Sequence, residues 1–185
     1  PLLPDDVDRL LRDEKKFTSR ADVETVGKLY RTFFEGASGS AQRLAFGRLE
    51  WGAAEARRLA DVLPRFVALA SLDLSENELG PEGAKAIAEV LSVHGSLTEC
   101  NLRKNNLGVE GWTIIFNALR DSPTSNITKW DLFNERLGPE IVKPLAEYIS
   151  VTGSLTSLNL YRNELDEPAK AALRAAARPA LDLTL

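Results

Sequence analysis

Cysteine, histidine and methionine are scarce in this sequence of 185 residues, which has one cysteine, one histidine and no methionine. Because a disulfide needs two cysteines, the lone Cys100 excludes the small secreted scaffolds that disulfides hold together. We therefore expect an intracellular location, most simply the cytoplasm, with an organelle as the alternative. His94 has no second histidine for a catalytic pair or a His-based metal site. The sequence predicts a protein that is not an enzyme and that needs neither a metal nor a cofactor.

Long apolar runs and an excess of positive charge are also missing. No stretch approaches the roughly 18 to 20 consecutive apolar residues that a membrane-spanning helix requires, so we expect no membrane insertion. The 23 basic and 27 acidic residues give a net charge of −4, which does not suit a protein that binds the phosphates of nucleic acid. Since the chain begins at Pro1 and lacks methionine, we expect a trimmed or processed form.

An internal repeat of roughly 28 residues dominates the rest of the sequence. Four units can be superposed on one another, with two extra residues near Pro123, and a degenerate unit precedes them. The five units span Ala41–Ala68, Leu69–Ser96, Leu97–Asn126, Ile127–Ser154 and Leu155–Ala180. The segment Leu181–Leu183 resembles Leu72–Leu74, and it predicts a terminal strand that places Asp182 in line with Asp73.

Each unit combines a strand pattern with a helix pattern. Apolar residues fall at positions 1, 4, 6 and 11 of a unit, and their alternation from the fourth to the sixth position indicates a strand. The second half of the unit that begins at Leu69 has Pro81 where a helix would start and apolar residues three and four apart, which indicates an amphipathic helix. No single unit can bury its apolar face alone, so the units should stack.

The pattern LxxLxLxxNxLGxxG resembles the ribonuclease-inhibitor-like class of leucine-rich repeats, which also occurs in NOD-like receptors and in the Ran GTPase-activating protein. The resemblance covers residues 41–185 and implies an α/β solenoid of about five repeats plus a terminal strand. It also implies a curved parallel sheet on the concave side and helices on the convex side. Proteins of this class mostly bind other proteins through the concave surface, so the motif specifies fold far better than function.

The resemblance also assigns a role to the ninth position of each unit. In the family, a buried asparagine at this position bonds backbone groups where the chain leaves the strand, and Asn77, Asn105 and Asn163 match it. Leu49 and Glu135 occupy this position in the other two units, so we expect the asparagine ladder to be interrupted there. Pro144 also departs from the pattern and predicts a helix that starts late or kinks.

Residues 1–40 lie outside the repeat and predict a helical N-terminal cap or extension. We expect helices at about Asp5–Lys16 and Ala21–Gly36, the second with Ser19 as its N-cap, followed by a flexible run at Gly36–Ser40. An apolar stripe on the second helix should cover the open end of the solenoid, and binding of a partner by this helix is the alternative. The stripe consists of Val23, Val26, Tyr30 and Phe33.

Side chains at the third, fifth and seventh positions of each strand should point to the concave surface. The fifth positions form a polar stripe from Asp73 to Asn159, and the seventh positions of two neighbouring units are Phe133 and Tyr161, about 5 Å apart along the sheet. Exposed aromatic residues beside arginine are typical of interface hot spots, although two rings can also simply stack across strands. The candidate partner-binding residues are Arg103, Lys104, Asp131, Phe133, Asn159, Tyr161 and Arg162.

These patterns predict a protein–protein interaction module, either an adaptor or a structural subunit of a larger assembly, that binds a protein partner through its concave strand surface. The resemblance leaves two alternatives open. One is a GTPase-activating regulator of a small GTPase, whose working residues would lie on the loops that carry Asn77, Asn105 and Asn163. The other is a fragment of an immune-type receptor.

Overall fold

The structure is a computed structural model that describes residues 2–13 and 20–185. Helices and strands alternate along the chain from residue 43 onward, so that each repeat contributes one strand and one helix. The helices are α1 (Pro4–Asp13), α2 (Arg20–Ser40), α3 (Ala53–Val62), α4 (Gly80–Leu91), α5 (Gly108–Arg120), α6 (Val142–Val151) and α7 (Glu167–Ala176). The strands are β1 (Arg43–Ala45), β2 (Ser71–Asp73), β3 (Glu99–Asn101), β4 (Lys129–Asp131), β5 (Ser157–Asn159) and β6 (Asp182–Thr184).

In the described part of the chain, six strands form one parallel sheet in which each strand pairs with the next along the chain. Equivalent positions of neighbouring units lie side by side: Leu44 pairs with Leu72, and Leu72 pairs with Cys100. The two extra residues near Pro123 lie in the loop before β4, so Glu99 still pairs with Lys129. The expected α/β architecture, with a parallel sheet on one side and helices on the other, is confirmed.

One continuous hydrophobic core runs between the sheet and the helices. The repeat leucines supply most of it because their side chains point from the strands toward the helix layer. Leu72, Leu74 and Leu79, at positions 4, 6 and 11 of their unit, are at most 1% exposed. Trp112 on α5 and Trp130 on β4 are also buried, with ring centroids 5.6 Å apart, as their inward positions predict.

The helix of the fourth unit starts late. A 3₁₀ turn at Pro139–Ile141 precedes α6, which begins only at Val142, whereas α4 and α5 begin directly at Gly80 and Gly108. Pro144 lies in the first turn of α6, where its missing N–H would have had no partner within the helix. Of the two expected effects, a late start or a kink, the structure has the late start.

Helix α2 packs through only part of the apolar stripe that its sequence pattern predicted, and through Phe34 in addition. Phe34 is 7% exposed and lies edge-on against Phe66 of the first unit at 5.9 Å, while Tyr30 stacks on Phe34. Val26 and Phe33 of the predicted stripe are exposed, at 39% and 72%. Two apolar stripes share this helix, and the contact with Phe66 selects the one that contains Phe34.

The predicted flexible run at Gly36–Ser40 is wrong, because these residues form the last turn of α2. The Ser40 hydroxyl donates to the carbonyl of Gly36 at 2.8 Å, and Ser38 is buried. Tertiary burial thus outweighs the weak helix propensity of glycine and serine. The predicted N-cap Ser19 and the predicted helix end at Lys16 lie outside the described residues.

The terminal strand has a different register from the predicted one. Asp182 pairs with Ser157 and therefore lies at a third position, so it is not in line with Asp73. Thr184 occupies the place beside Asn159 instead. The last unit is shorter than the others: Asp182 follows its pairing residue by 25 positions, whereas Ser71 follows Arg43 by 28.

Across residues 2–13 and 20–185, none of the helices combines the length and the apolar content that crossing a bilayer would require.

Candidate partner-binding surface

The concave face of the sheet is formed by the third, fifth and seventh positions of the repeats. The middle residue of β2, β3, β4 and β5 is buried, and the residues on either side of it are half-buried or exposed, as alternation along a strand requires. The candidate residues at fifth and seventh positions therefore do face this surface.

Side chains at the fifth position fix the backbone at the seventh position of the same unit. In four consecutive units, the side-chain oxygen of the fifth residue accepts a hydrogen bond from the backbone N–H two residues later. These bonds run from Ser75 to Asp73 (3.0 Å), from Arg103 to Asn101 (3.3 Å), from Phe133 to Asp131 (3.2 Å) and from Tyr161 to Asn159 (3.0 Å). The polar stripe thus orients the residues at the seventh position, a local role that the sequence pattern did not reveal.

Four of the candidate residues form one group at the seventh and eighth positions, which we call the aromatic–arginine cluster: Arg103, Phe133, Tyr161 and Arg162. The rings of Phe133 and Tyr161 stack with centroids 6.2 Å apart and an interplanar angle of 30°. The guanidinium carbon of Arg103 lies 5.5 Å from the centre of the Phe133 ring. That of Arg162 lies 5.6 Å from the Phe133 ring and 5.9 Å from the Tyr161 ring. Both arginines are within the range of cation–π attraction.

Asp131 links this cluster to the polar stripe. Its carboxylate forms an ion pair with Arg103 at 3.0 Å and accepts a hydrogen bond from the Asn159 amide at 2.9 Å. The Nε of Arg103 is buried and has no hydrogen-bond partner in the described part of the chain, so the ion pair and the Phe133 contact must offset its desolvation. Asp131 and Asn159 therefore lie beneath the cluster and hold its side chains in place.

Lys104 belongs to a separate ion network. Its ammonium group contacts the Glu76 carboxylate at 3.3 Å, and its backbone N–H donates to Glu135 at 2.8 Å. Glu76 also receives two hydrogen bonds from the Arg48 guanidinium, at 3.1 and 3.0 Å. The Arg48 bonds, followed by that of Lys104, lower the pKa of Glu76 below its ordinary value. The structure thus brings Lys104 together with Glu76.

A shallow depression of about 300 Å³ lies beside the cluster on the concave face. Its charged lining includes Arg43, Asp73, Glu99, Lys129 and Asp131, so charges of both signs alternate across it. Cys100 lies at its floor, and burial raises the pKa of this thiol, which keeps it protonated and unreactive at neutral pH. Within the part of the chain that the structure describes, no group of three or more His, Cys, Asp or Glu side chains could hold a metal ion.

The asparagines at the ninth position have structural hydrogen bonds, as predicted. The Asn77 oxygen accepts from the backbone N–H groups of Leu49 and Trp51, both at 3.0 Å, and its nitrogen donates to carbonyls of two adjacent units. Asn163 makes the same set of hydrogen bonds between the fourth and fifth units. At the predicted interruption, the Glu135 carboxylate takes over part of the role by accepting from the backbone of the preceding unit.

The repeat pattern, the parallel sheet and a comparison with family models all indicate leucine-rich repeats. A family model described as a leucine-rich repeat matches residues 69–88. The fold is that of a leucine-rich-repeat solenoid.

Among solved structures, this solenoid is similar to the one described as Leiomodin-1 Actin-Binding Site 2 (ABS2). The TM-score is 0.57 at 16% sequence identity, and the match covers 78% of this chain and 83% of the other. Likeness at this identity shows the fold alone. Among curated proteins, no sequence matches the chain.

Proposed function

We propose that this leucine-rich-repeat solenoid is a non-enzymatic protein-interaction module, an adaptor or a fixed subunit of a larger assembly, that binds its partner through the concave strand surface. The ribonuclease-inhibitor-like class is the subclass that we assign to it. The repeat length, the LxxLxLxxNxLGxxG pattern and the helices on the convex side support this assignment.

The observation that carries the proposal is the aromatic–arginine cluster. Large apolar side chains of the strands otherwise point inward, yet Tyr161 is 51% exposed and Phe133 is half-buried on the concave face. Tyrosine, phenylalanine and arginine are enriched in the cores of protein interfaces, and tyrosine and arginine are among the residues whose truncation there costs most. Stacking between the two rings across strands contributes only about 0.5–1 kcal/mol. This small stabilisation does not by itself explain why the two rings lie on an exposed surface.

The test begins with crosslinking mass spectrometry on native source material, which identifies the partner, and continues with binding measurements on variants. Phe133→Ala and Arg103→Ala should each weaken binding by about 30-fold, the equivalent of about 2 kcal/mol for a central anchor. Both variants should keep the far-UV circular dichroism of the parent. Full binding by both variants would contradict the proposal.

Phe33→Ala is the matched control, since Phe33 is a phenylalanine that is 72% exposed on α2, outside the concave face. We propose that the first forty residues cap the first repeat through Phe34, so Phe33→Ala should bind the partner as the parent does. Loss of binding in this variant alone would instead make the N-terminal helix the binding element.

Actin is the first partner to test, because it is the protein that the similar leiomodin-1 structure is named for binding. Co-sedimentation with filaments and a monomer-binding assay, each with Phe133→Ala alongside, cover both forms of actin. A GTPase panel tests the regulator alternative. The loop asparagines that would carry that function already bond the backbone, so we expect unchanged GTP hydrolysis.

A further inference from the structure

The eighth position of each repeat carries a charged or polar residue at the same edge of the sheet. This column reads Arg48, Glu76, Lys104, Asn134 and Arg162, and all five residues have positive φ between 55° and 61°. In the first three units, Glu76 lies between two basic neighbours and forms ion pairs with both. The neighbour of Arg162 in this column is the uncharged Asn134. No acidic residue of the column therefore lies next to Arg162 to pair with it, as Glu76 pairs with Arg48 and Lys104.

Arg162 has no carboxylate within ion-pair distance among the residues that the structure describes, whereas Arg103 in the same cluster is neutralised by Asp131. Instead, Arg162 lies over the rings of Phe133 and Tyr161. Stacking uses the flat face of a guanidinium and leaves its in-plane N–H donors available. The Arg162 guanidinium is therefore held in place with its hydrogen-bonding edge unused.

A guanidinium held in this way fits a carboxylate, because two parallel N–H donors match the two carboxylate oxygens. A phosphate group fits less well: it brings about −1.5 to −2 charges, whereas the cluster has a single uncompensated cation because Asp131 neutralises Arg103. The exposed ring of Tyr161 offers an apolar contact directly beside the anion-binding edge.

We propose that the aromatic–arginine cluster binds a carboxylate in an extended acidic segment of the partner protein, with Arg162 as the anion-binding residue and Tyr161 contacting an adjacent apolar side chain. This inference rests on the proposed function and specifies the chemistry of the partner at that site.

The experiment uses blocked peptides as probes of the complete chain. The first is the pentapeptide Ser-Leu-Asp-Leu-Ser, and in two counterparts asparagine or phosphoserine replaces the aspartate. Binding is followed by the NMR signals of the arginine Nε–H groups, with the Arg162 signal assigned from its loss in Arg162→Gln. Arg174→Gln is the matched control, because Arg174 is an exposed arginine on α7 outside the cluster.

We expect the aspartate peptide to bind at least about tenfold more tightly than the asparagine peptide, as a charge-assisted bidentate bond requires, and to shift the Arg162 signal. Arg162→Gln should abolish this preference, and Arg174→Gln should keep it. Arg162→Lys should lose most of it, because an ammonium group keeps the charge without the planar pair of donors.

Equal binding of the aspartate and asparagine peptides, absence of any shift at Arg162, or a preference that survives in Arg162→Gln would overturn the inference. Tighter binding of the phosphoserine peptide by more than about tenfold would also overturn it, in favour of phosphate. If Phe133→Ala loses the native partner while the peptides show no carboxylate preference, the binding surface stands and only the carboxylate assignment fails.

Discussion

Asn105 offers the sharpest test of how the repeats are held together. Its side chain is fully buried, and its amide nitrogen donates at 2.9 Å to the carbonyls of Leu74 and Leu102 in two adjacent units. Its oxygen accepts a longer bond, 3.4 Å, from the backbone N–H of Leu79. Replacement by alanine leaves these buried backbone groups without this partner, and each such loss costs about 1–3 kcal/mol.

The Leu74 carbonyl keeps a second donor, Asn77, so its share of the loss is small. Asn105→Ala should therefore lower the free energy of unfolding by about 3 kcal/mol, or the melting temperature by roughly 6–12 °C in a chain of this size. Urea titration followed by tryptophan fluorescence measures the change. The matched control is Asn101→Ala: Asn101 is exposed on β3 and accepts one solvent-exposed hydrogen bond, from the Arg103 backbone at 3.3 Å, so this variant should lose no more than about 1 kcal/mol. Equal stability of the two variants would refute the structural role of the ladder.

Two further predictions concern titratable groups. Because burial raises the pKa of Cys100, a thiol reagent should label the native protein only as fast as it unfolds, and rapid labelling of the folded chain at pH 8 would contradict this. The contacts with Arg48 and Lys104 lower the pKa of Glu76 in the folded protein. The ionised Glu76 therefore stabilises the folded state at pH values above its unfolded-state pKa, and this stabilisation is lost as the pH falls through its lower folded-state pKa. Glu76→Gln should thus be less stable than the parent at pH 7 and should approach it below about pH 4, as urea midpoints across that range would show; a constant difference would count against the ion network.

The repeat architecture could be predicted because its signal is local in the sequence. Leucines at fixed positions determine which strand residues are buried, and strands pair in the order in which they occur in the chain. The register of β1 to β5 follows directly from that spacing. The register of the terminal strand β6 does not follow from the spacing, because the last repeat is shorter than the others. The motif Leu181–Leu183 matches the earlier strands in sequence, but its residues pair with different repeat positions.

The parts that sequence could not predict depend on contacts between distant residues. Phe33 and Phe34 are adjacent on α2, and only the position of Phe66 decides which ring is buried. The neighbours Phe133 and Tyr161 were predictable from their shared strand position. The placement of Arg162 over both rings was not, because Arg48 and Lys104 at the same position of their units reach Glu76 instead.

Hydrogen–deuterium exchange of the protein with and without its crosslink-identified partner shows directly whether the partner binds the concave surface. Binding through the concave surface should slow exchange at residues 103–104, 131–133 and 159–162 and should leave the outer turns of α4 and α5 unchanged. Protection confined to the convex helices or to α2, with the concave segments unaffected, would contradict it.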